Sequence, residues 1–388
     1  GGPGATFWMV VCGFLGMSTK FVECTLGVQY RDVGEDGTVY GGPMYYISKG
    51  LKERGFKTFG KIVAIIFAIF CIGGSFGGGN AAQSNQATVV LKELMGLESS
   101  GAGFWIGVVM AIVVGVIIIG GIKRIASVTE KVVPFMAILY LLACLYILGA
   151  NFSLIDDAFS LIFREAFNPT AIGVGGVIGV LLVGFKRAAF SNEAGAGSAS
   201  IAHSAVKTKY SASEGLVALL EPFIDTVVIC TMTALVIIIF NFGGDASGAT
   251  IFQYGGDGAG AVLIDGVSYE GAGITSKAFA EYIPYSNVFL TVAVVLFAVS
   301  TMISWSYYGL QSWKFLFGRG KAADMAYKLL FLLFVIIGAS ASMNSIWAFS
   351  DAMIFAMVFP NMVGLYFLFP VVKKQLKRYT DAIKESHA

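Results

Sequence analysis

Residues 186–200, KRAAFSNEAGAGSAS, decide the fold, because they interrupt a long apolar segment that covers residues 171–203. That segment is longer than the roughly 20 residues that cross a bilayer as one helix. Charge and glycine at its centre predict a discontinuous helix, the alternative being a kinked structural helix. A discontinuous helix leaves N–H groups suited to a carboxylate and carbonyl groups suited to a cation.

The composition places the rest of the chain in a membrane. Hydrophobic residues make up 56% of the 388 residues and charged residues 13%, against about 25% charged in soluble domains. Apolar stretches recur along the whole chain, which predicts an all-α polytopic membrane protein with about nine transmembrane helices. The predicted spans are residues 5–28, 62–91, 104–122, 132–148, 171–203, 216–240, 288–308, 325–341 and 346–372.

The basic residues give the spans a direction. Lys and Arg concentrate in alternate loops, so the positive-inside rule predicts that Gly1 lies outside and the C-terminus is cytoplasmic. The net charge of +2 and the absence of one basic face argue against a nucleic-acid partner. The longest loop, residues 241–284, falls outside and is interpreted as a solvated loop or a lid, the solvated loop being favoured.

A second unusual stretch is residues 73–86, GGSFGGGNAAQSNQ. Its glycines match small-xxx-small helix packing. Packing does not account for the amides of Asn80, Gln83, Asn85 and Gln86, which cost several kcal/mol in hydrocarbon without partners. The stretch therefore predicts a polar cavity beside this helix.

Residues 300–309, STMISWSYYG, bring hydroxyls and an indole to one late span. Hydroxyl oxygens are hard ligands suited to Na⁺, although Ser and Thr also bond to their own helix. Catalysis has no comparable support: Ser198 and His203 are five residues apart and cannot face each other on a helix. His203 is interpreted as interfacial, the five single cysteines as packing residues, and neither an enzyme activity nor an organic cofactor is expected.

The chain resembles the alanine or glycine:cation symporter family. The matching stretches are GGPGA (1–5), TKFVE (19–23), GGPMYY (41–46), Gly79-Asn80 with Gln83, GGIK (120–123), FSNEAG (190–195) and WSYYG (305–309). The resemblance implies a fold like that of the leucine transporter, with two inverted five-helix repeats. Residues 1–168 then hold the second to fifth core helices, residues 169–372 the sixth to tenth, and residues 373–388 a cytoplasmic tail. The first core helix is absent, which implies an N-terminally truncated chain.

The resemblance also implies site residues. Gly79, Gln83, Phe190, Ser191 and Asn192 would contact an amino acid. Trp305 would cap its side chain, and Ser300 and Thr301 would offer oxygens to Na⁺. Membrane-depth charges would form gate pairs or buried structural pairs; they are Lys186, Arg187, Glu193, Glu221 and Asp225.

The implied function is symport of a small neutral amino acid, alanine or glycine, with Na⁺ by alternating access, in a monomer of the cell's inner or plasma membrane. Three alternatives stay open. A proton-coupled transporter of the same fold would titrate a carboxylate such as Glu193 or Asp225. A sensor or inactive derivative would lack the first core helix, and a membrane enzyme would need a facing nucleophile and base.

Overall fold

The computed structural model describes residues 1–99, 101–168, 176–246, 250–254 and 260–387. Helices form most of this part of the chain. The first half contains α1 (Gly4–Gln29), α2 (Pro43–Glu53), α3 (Lys57–Phe76), α4 (Ala82–Met95), α5 (Ala102–Ile119), α6 (Gly121–Ala150), α7 (Ile155–Phe167) and α8 (Gly176–Asn192). The second half contains α9 (Ala199–His203), α10 (Ser211–Ala218), α11 (Leu220–Pro222), α12 (Thr231–Asn241), α13 (Ala272–Tyr282), α14 (Ser286–Phe317), α15 (Lys321–Ser340) and α16 (Met343–His387).

Two π-helical segments join consecutive α-helices, so the helical backbone continues through them. A π-helical segment, Gly77–Ala81, joins α3 to α4, and a second, Phe223–Cys230, joins α11 to α12. Such segments add one residue to a helical turn and often mark functional sites. The first contains Gly79 and Asn80, which the sequence had singled out, and therefore directs attention to that level of the helix.

Eight helical stretches in the described residues are long and apolar enough to cross a membrane. They are Gly4–Gln29, Lys57–Met95, Ala102–Ile119, Gly121–Ala150, Ser211–Asn241, Ser286–Phe317, Lys321–Ser340 and Met343–Ser386. The polytopic all-helical prediction is confirmed. The ninth predicted span, residues 171–203, is observed as α8 and α9, and residues 171–175 lie outside the described residues.

Several helices extend past the predicted spans. Helix α6 includes Lys123, Arg124 and Lys131, which the sequence had assigned to a loop. Helix α16 continues from the predicted end of its span to His387, so most of residues 373–388 is helical. Charge marks where a helix leaves the hydrocarbon rather than where its hydrogen bonds end, which explains both differences.

Two hydrophobic cores hold the helices together. The larger includes Phe67, Trp305 and Phe331 and joins α1 to α3, α14, α15 and α16. The smaller forms around Tyr140 and Phe279. It also contains the loop after α12, so the interpretation of residues 241–284 as a solvated loop is wrong for their described part. Buried apolar residues there, with strands β3 (Gln253–Tyr254), β4 (Val262–Ile264) and β5 (Val267–Tyr269), make it a packed element.

A smaller hairpin, β1 (Asp32–Val33) with β2 (Val39–Tyr40), lies between α1 and α2 and contributes to an ionic cluster. Asp32 bonds with Lys49 and lies 3.2 Å from Arg319, whose guanidinium stacks 3.7 Å over the ring of Tyr40. Partial burial raises the pKa of Asp32, but the bonds from Lys49 and Arg319 outweigh it and hold that pKa below its usual value. The cluster joins α2 to the turn between α14 and α15.

Candidate functional site

The predicted break lies between α8 and α9. Helix α8 ends at Asn192, and Glu193, Gly195 and Gly197 have φ angles of 58°, 89° and 84°. Glycine adopts this left-handed region without a Cβ penalty, so the glycines of the motif turn the chain before α9 begins at Ala199. The prediction of a discontinuous helix is confirmed, and the alternative of a merely kinked helix is wrong.

Side chains from α1 occupy both polar ends of the break. Lys20 is fully buried, and its Nζ donates to the carbonyl of Asn192 over 2.6 Å. Glu23, also fully buried, accepts from the N–H of Gly195 over 2.9 Å. The sequence had predicted that these backbone groups attract Na⁺ and a substrate carboxylate. In the structure the protein supplies its own ammonium and carboxylate at those two positions.

Asn361 of α16 ties the carboxylate to the break. Its Nδ2 donates to Glu23 Oε1 over 2.7 Å and to the carbonyl of Gly195 over 2.8 Å. The hydroxyl of Tyr46 donates to Asn361 Oδ1. The second oxygen of Glu23 has no hydrogen-bond partner among the described residues. Because an unpartnered buried carboxylate oxygen costs free energy, this atom is an available acceptor for a cation.

An aromatic wall lies beside the π-helical segment. A Cβ at Gly79 would sit 2.1 Å from Cγ of Trp305, so only glycine allows this approach. A Cβ at Gly78 would lie 3.1 Å from the ring of Phe190, which itself packs 4.9 Å from the ring of Trp347. The structure therefore brings Trp305 against Gly79 and brings Phe190 to the neighbouring turn.

Gln83 and the two residues after Phe190 have partners within the protein. Gln83 Nε2 donates to the carbonyl of Gly78 over 3.0 Å. Ser191 Oγ donates to Asp225 Oδ2 over 2.5 Å, and Asn192 Nδ2 donates to Thr226 Oγ1 over 2.8 Å. The predicted substrate residues thus divide into two groups. One contacts the turn at Gly78 and Gly79, and the other contacts the second π-helical segment.

The predicted charges are partly paired. Arg187 contacts both oxygens of Asp351 at 2.6 Å and lies 4.9 Å from the ring of Trp347. Glu193 accepts from Ser198 Oγ over 2.6 Å. Lys186 lies exposed on the surface of α8.

Glu221 lies 3.3 Å from Lys20 and 3.6 Å from His203 Nε2. Arg187 and Glu221 are thus the predicted charges that form ion pairs in the described chain, and their partners come from α16, α1 and α9.

The predicted sodium ligands lie on α14. Ser300 is buried, and its Oγ donates to the carbonyl of Phe297 over 2.9 Å. Thr301 is half-buried, and Ser304 donates to the carbonyl of Ser300 over 3.0 Å. A hydroxyl that donates to its own helix keeps lone pairs free to accept a cation, so the assignment of Ser300 and Thr301 stays a prediction.

The amides of the π-helical segment and of α4 have partners that the sequence did not anticipate. Asn80 donates to the carbonyl of Phe331 over 2.6 Å, and Asn85 donates to that of Gly338 over 3.1 Å. Gln86 accepts from the N–H of Ala272 over 2.9 Å. The prediction of a polar cavity is therefore wrong at Asn80, which binds α15 directly. A cavity of about 300 Å³ lies further along α4, where Asn85 and Lys92 line it with Glu270.

A larger cavity of about 670 Å³ lies beside the end of α9 and the residues that follow it. His203 and Glu214 line it together with Lys123 from α6 and Ser304 and Tyr308 from α14. We call it the His203 cavity. Ala202, His203 and Ala205, at the end of α9 and just after it, line one side of this cavity.

The break is contacted by Lys20, Glu23 and Asn361, and Asp351 pairs with Arg187 in the preceding helix α8. None of these four roles was predicted from the sequence. A signal for the first two was present, because charged residues inside an apolar span are rare and generally functional. Asp351 and Asn361 also lie in an apolar segment. Their partners, more than 160 residues away, leave no local mark in the sequence.

Comparison with known proteins identifies the family of this chain. The model of the sodium:alanine symporter family matches residues 1–388. The sodium/alanine symporter AgcS of Methanococcus maripaludis is 39% identical over 385 residues, which cover 99% of this chain and 79% of the relative.

Two further relatives carry other names. The probable sodium/glutamine symporter GlnT of Bacillus subtilis is 30% identical over 98% of this chain and 73% of its own. The sodium/proton-dependent alanine carrier protein of Bacillus sp. PS3 is 30% identical over 99% and 83%. The chain is therefore a multi-pass membrane transport protein, not an enzyme, and belongs to the sodium:alanine symporter family.

Proposed function

We propose that this protein carries a small neutral amino acid, alanine or glycine, across the membrane together with Na⁺. The observation that carries the proposal is the break at Asn192–Ala199 beside the contact of Gly79 with Trp305. Transporters bind substrate and ion near the midplane, where interrupted helices expose backbone groups. Family membership supports the same conclusion.

The walls of the site favour a small substrate. Phe190 and Trp305 press against the glycines of the π-helical segment so closely that a single added methyl group would collide at Gly79. A pocket bounded by such rings excludes long side chains by overlap. Alanine or glycine fits this restriction, whereas glutamine, named for one relative, would need the rings to move.

The charges favour a substrate without net charge. Arg187 is neutralised by Asp351, and Lys20 by Glu221. A charged substrate side chain would have to break one of these pairs to find a counter-ion. A zwitterion brings both charges with it and needs no separate counter-ion from the protein.

Sodium would use hard oxygen ligands. Ser300 and Thr301 supply hydroxyls on α14, and Glu23 supplies the carboxylate oxygen without a hydrogen-bond partner among the described residues. Oxygen ligands of this kind suit hard cations. Coupling then requires only that Na⁺ and the amino acid prefer the same conformation.

Transport would proceed by alternating access in a fold of two inverted repeats, as in the leucine transporter. The break between α8 and α9 would act as a hinge, because its three residues with positive φ separate two short helical bodies. The His203 cavity would then form the route toward the predicted cytoplasmic side.

Uptake of radiolabelled alanine into proteoliposomes tests the proposal. Uptake should require an inward sodium gradient, and excess unlabelled glycine should compete while glutamine should not. A potassium gradient of equal size is the control for membrane potential. Equal uptake with and without sodium would contradict the coupling, and competition by glutamine would contradict the size restriction.

A further inference from the structure

His203 lies between two carboxylates. Its Nδ1 is 2.5 Å from Glu214 Oε1, and its Nε2 is 3.6 Å from Glu221 Oε2. An ionised carboxylate only accepts hydrogen bonds, so Nδ1 must carry a proton. A second proton on Nε2 would face Glu221. The arrangement therefore favours the doubly protonated, positively charged ring.

The carboxylates continue to the break. Glu221 Oε2 lies 3.3 Å from Nζ of Lys20, which donates to the carbonyl of Asn192 over 2.6 Å. A continuous row of side chains thus joins His203 to the end of α8. At its other end, His203 and Glu214 line the His203 cavity, through which water can reach the ring.

Other charged groups lie near the ring or near the row of side chains that leads from it to α8. Helix α1 contributes Lys20 and Glu23, the break contributes Glu193, α10 and α11 contribute Glu214 and Glu221, and Arg31, Lys123 and Lys207 lie at the cavity end. Arg31 donates to the carbonyls of Ser204 and Val206, at 2.7 and 2.5 Å, rather than to a carboxylate. Helix α14 presents uncharged Ser304, Tyr307 and Tyr308 to the cavity. In the buried part of this group, carboxylates outnumber ammonium groups, so a proton on His203 reduces the imbalance.

We propose that His203, with Glu214 and Glu221, is a proton-binding site open to the His203 cavity. A hydronium ion gives its proton to the free lone pair of the imidazole and leaves as water. The charged ring then attracts Glu214 of α10 and Glu221 of α11 at once. Because Glu221 also holds Lys20, the bound proton ties α9 and α10 to the broken end of α8.

The consequence for transport rests on the proposed function. The protonated tie restrains the second half of the broken helix, because it fastens α9 to its neighbours. Release of the proton leaves a neutral ring between two carboxylates and weakens the tie. Uptake should therefore rise as the pH on the cavity side is raised through the titration midpoint of His203.

Histidine NMR measures the site without any transport. The chain contains two histidines, His203 and His387, so protein labelled with ¹³C-histidine gives two ring signals, and His203→Gln assigns them. We expect the His203 signal to titrate above the ordinary pKa of a histidine side chain. Glu214→Gln should lower the His203 midpoint by about 1 to 3 pH units, since one close carboxylate is lost. Glu35→Gln, which removes an exposed carboxylate, should leave it unchanged.

A His203 signal that does not titrate, or that ignores Glu214→Gln, would overturn the proposal, and the wild-type spectrum decides this even if a variant misfolds. In proteoliposomes, wild-type uptake should depend on the pH of the cavity side, and His203→Gln should lose that dependence while still binding alanine. An unchanged pH profile in the variant would remove the link to transport. Wild-type protein without any alanine uptake would instead contradict the proposed function and leave the NMR result standing.

Discussion

Two regions of this protein bury polar side chains in apolar helices, and they use them differently. Asn80 of the π-helical segment and Ser84 of α4 donate to the carbonyls of Phe331 and Val335, which lie inside the regular helix α15. At the break, Lys20 and Glu23 satisfy backbone groups that no helical neighbour reaches. The first arrangement joins two helices, and the second holds a gap in one helix.

The difference lies in the backbone that receives the bond. The carbonyls of Phe331 and Val335 already accept from their own helix, so an added donor contributes only a modest second bond. The carbonyl of Asn192 and the N–H of Gly195 lie at a helix end and lack that first partner. Loss of a side chain should therefore cost much more at the break than in α4.

The largest effect is expected for Lys20→Met. The substitution leaves the carbonyl of Asn192 without its buried partner and removes one ion pair of Glu221. Because the Glu221 side chain is 44% exposed, the cost should lie near the lower end of the about 3–5 kcal/mol for a broken buried pair. Uptake of alanine should be lost as well. Thermal unfolding in detergent and uptake in proteoliposomes measure the two effects. Lys52→Met, at an exposed position, is the matched control, and a Lys20→Met protein as stable and active as this control would refute our account of the break.

A smaller effect is expected for Gly79→Ala. The added Cβ would lie 2.1 Å from Cγ of Trp305, and overpacking of this kind costs about 1–3 kcal/mol. Trp305 must move, so uptake should fall more than stability does. Gly320→Ala is the control, because nothing lies within 4 Å of a Cβ there.

A second substitution sharpens the test at Gly79. Trp305→Gly, placed in the Gly79→Ala chain, removes the two atoms nearest to the new Cβ, Cγ at 2.1 Å and Cβ at 2.3 Å. The double variant should therefore lose less stability than the sum of the two single changes. It should not restore uptake, because the side chain that we propose caps the substrate is then absent. If Gly79→Ala transports alanine at the wild-type rate, the close approach of these two residues has no role in the site.

The break was predictable because its cause is local. Gly195 and Gly197 stand in the sequence at the positions that need positive φ, beside the polar Asn192. The contact of Gly79 with Trp305 depends on packing between α14 and the π-helical segment, and the sequence showed only that each residue was unusual. The prediction of a polytopic membrane protein was possible for the same reason, because composition and recurring apolar stretches can be read directly from the sequence.

The partners at the break were not predictable, since they meet only after the chain has folded. Lys20 and Asn192 are 172 residues apart, and Arg187 and Asp351 are 164 apart. No spacing rule covers such distances. The amides of residues 80–86 show the opposite error. Their polarity was visible in the sequence, but the carbonyls of α15 that accept from Asn80 and Asn85 were not.

The smallest effect is expected for Ser84→Ala, which completes the comparison. Ser84 is buried and donates to the carbonyl of Val335 over 2.6 Å. That carbonyl keeps its own helical bond, so the loss should be about 0.6 kcal/mol, the average for polar contacts between membrane helices. Unfolding in detergent should show this small decrease with the apparent affinity for alanine unchanged. Ser340→Ala, which removes an exposed hydroxyl bonded within α15, should cost less still. If Ser84→Ala instead cost as much as Lys20→Met, the α4–α15 interface would depend on its polar contacts as strongly as the break does. The distinction between the two regions would then have to be abandoned.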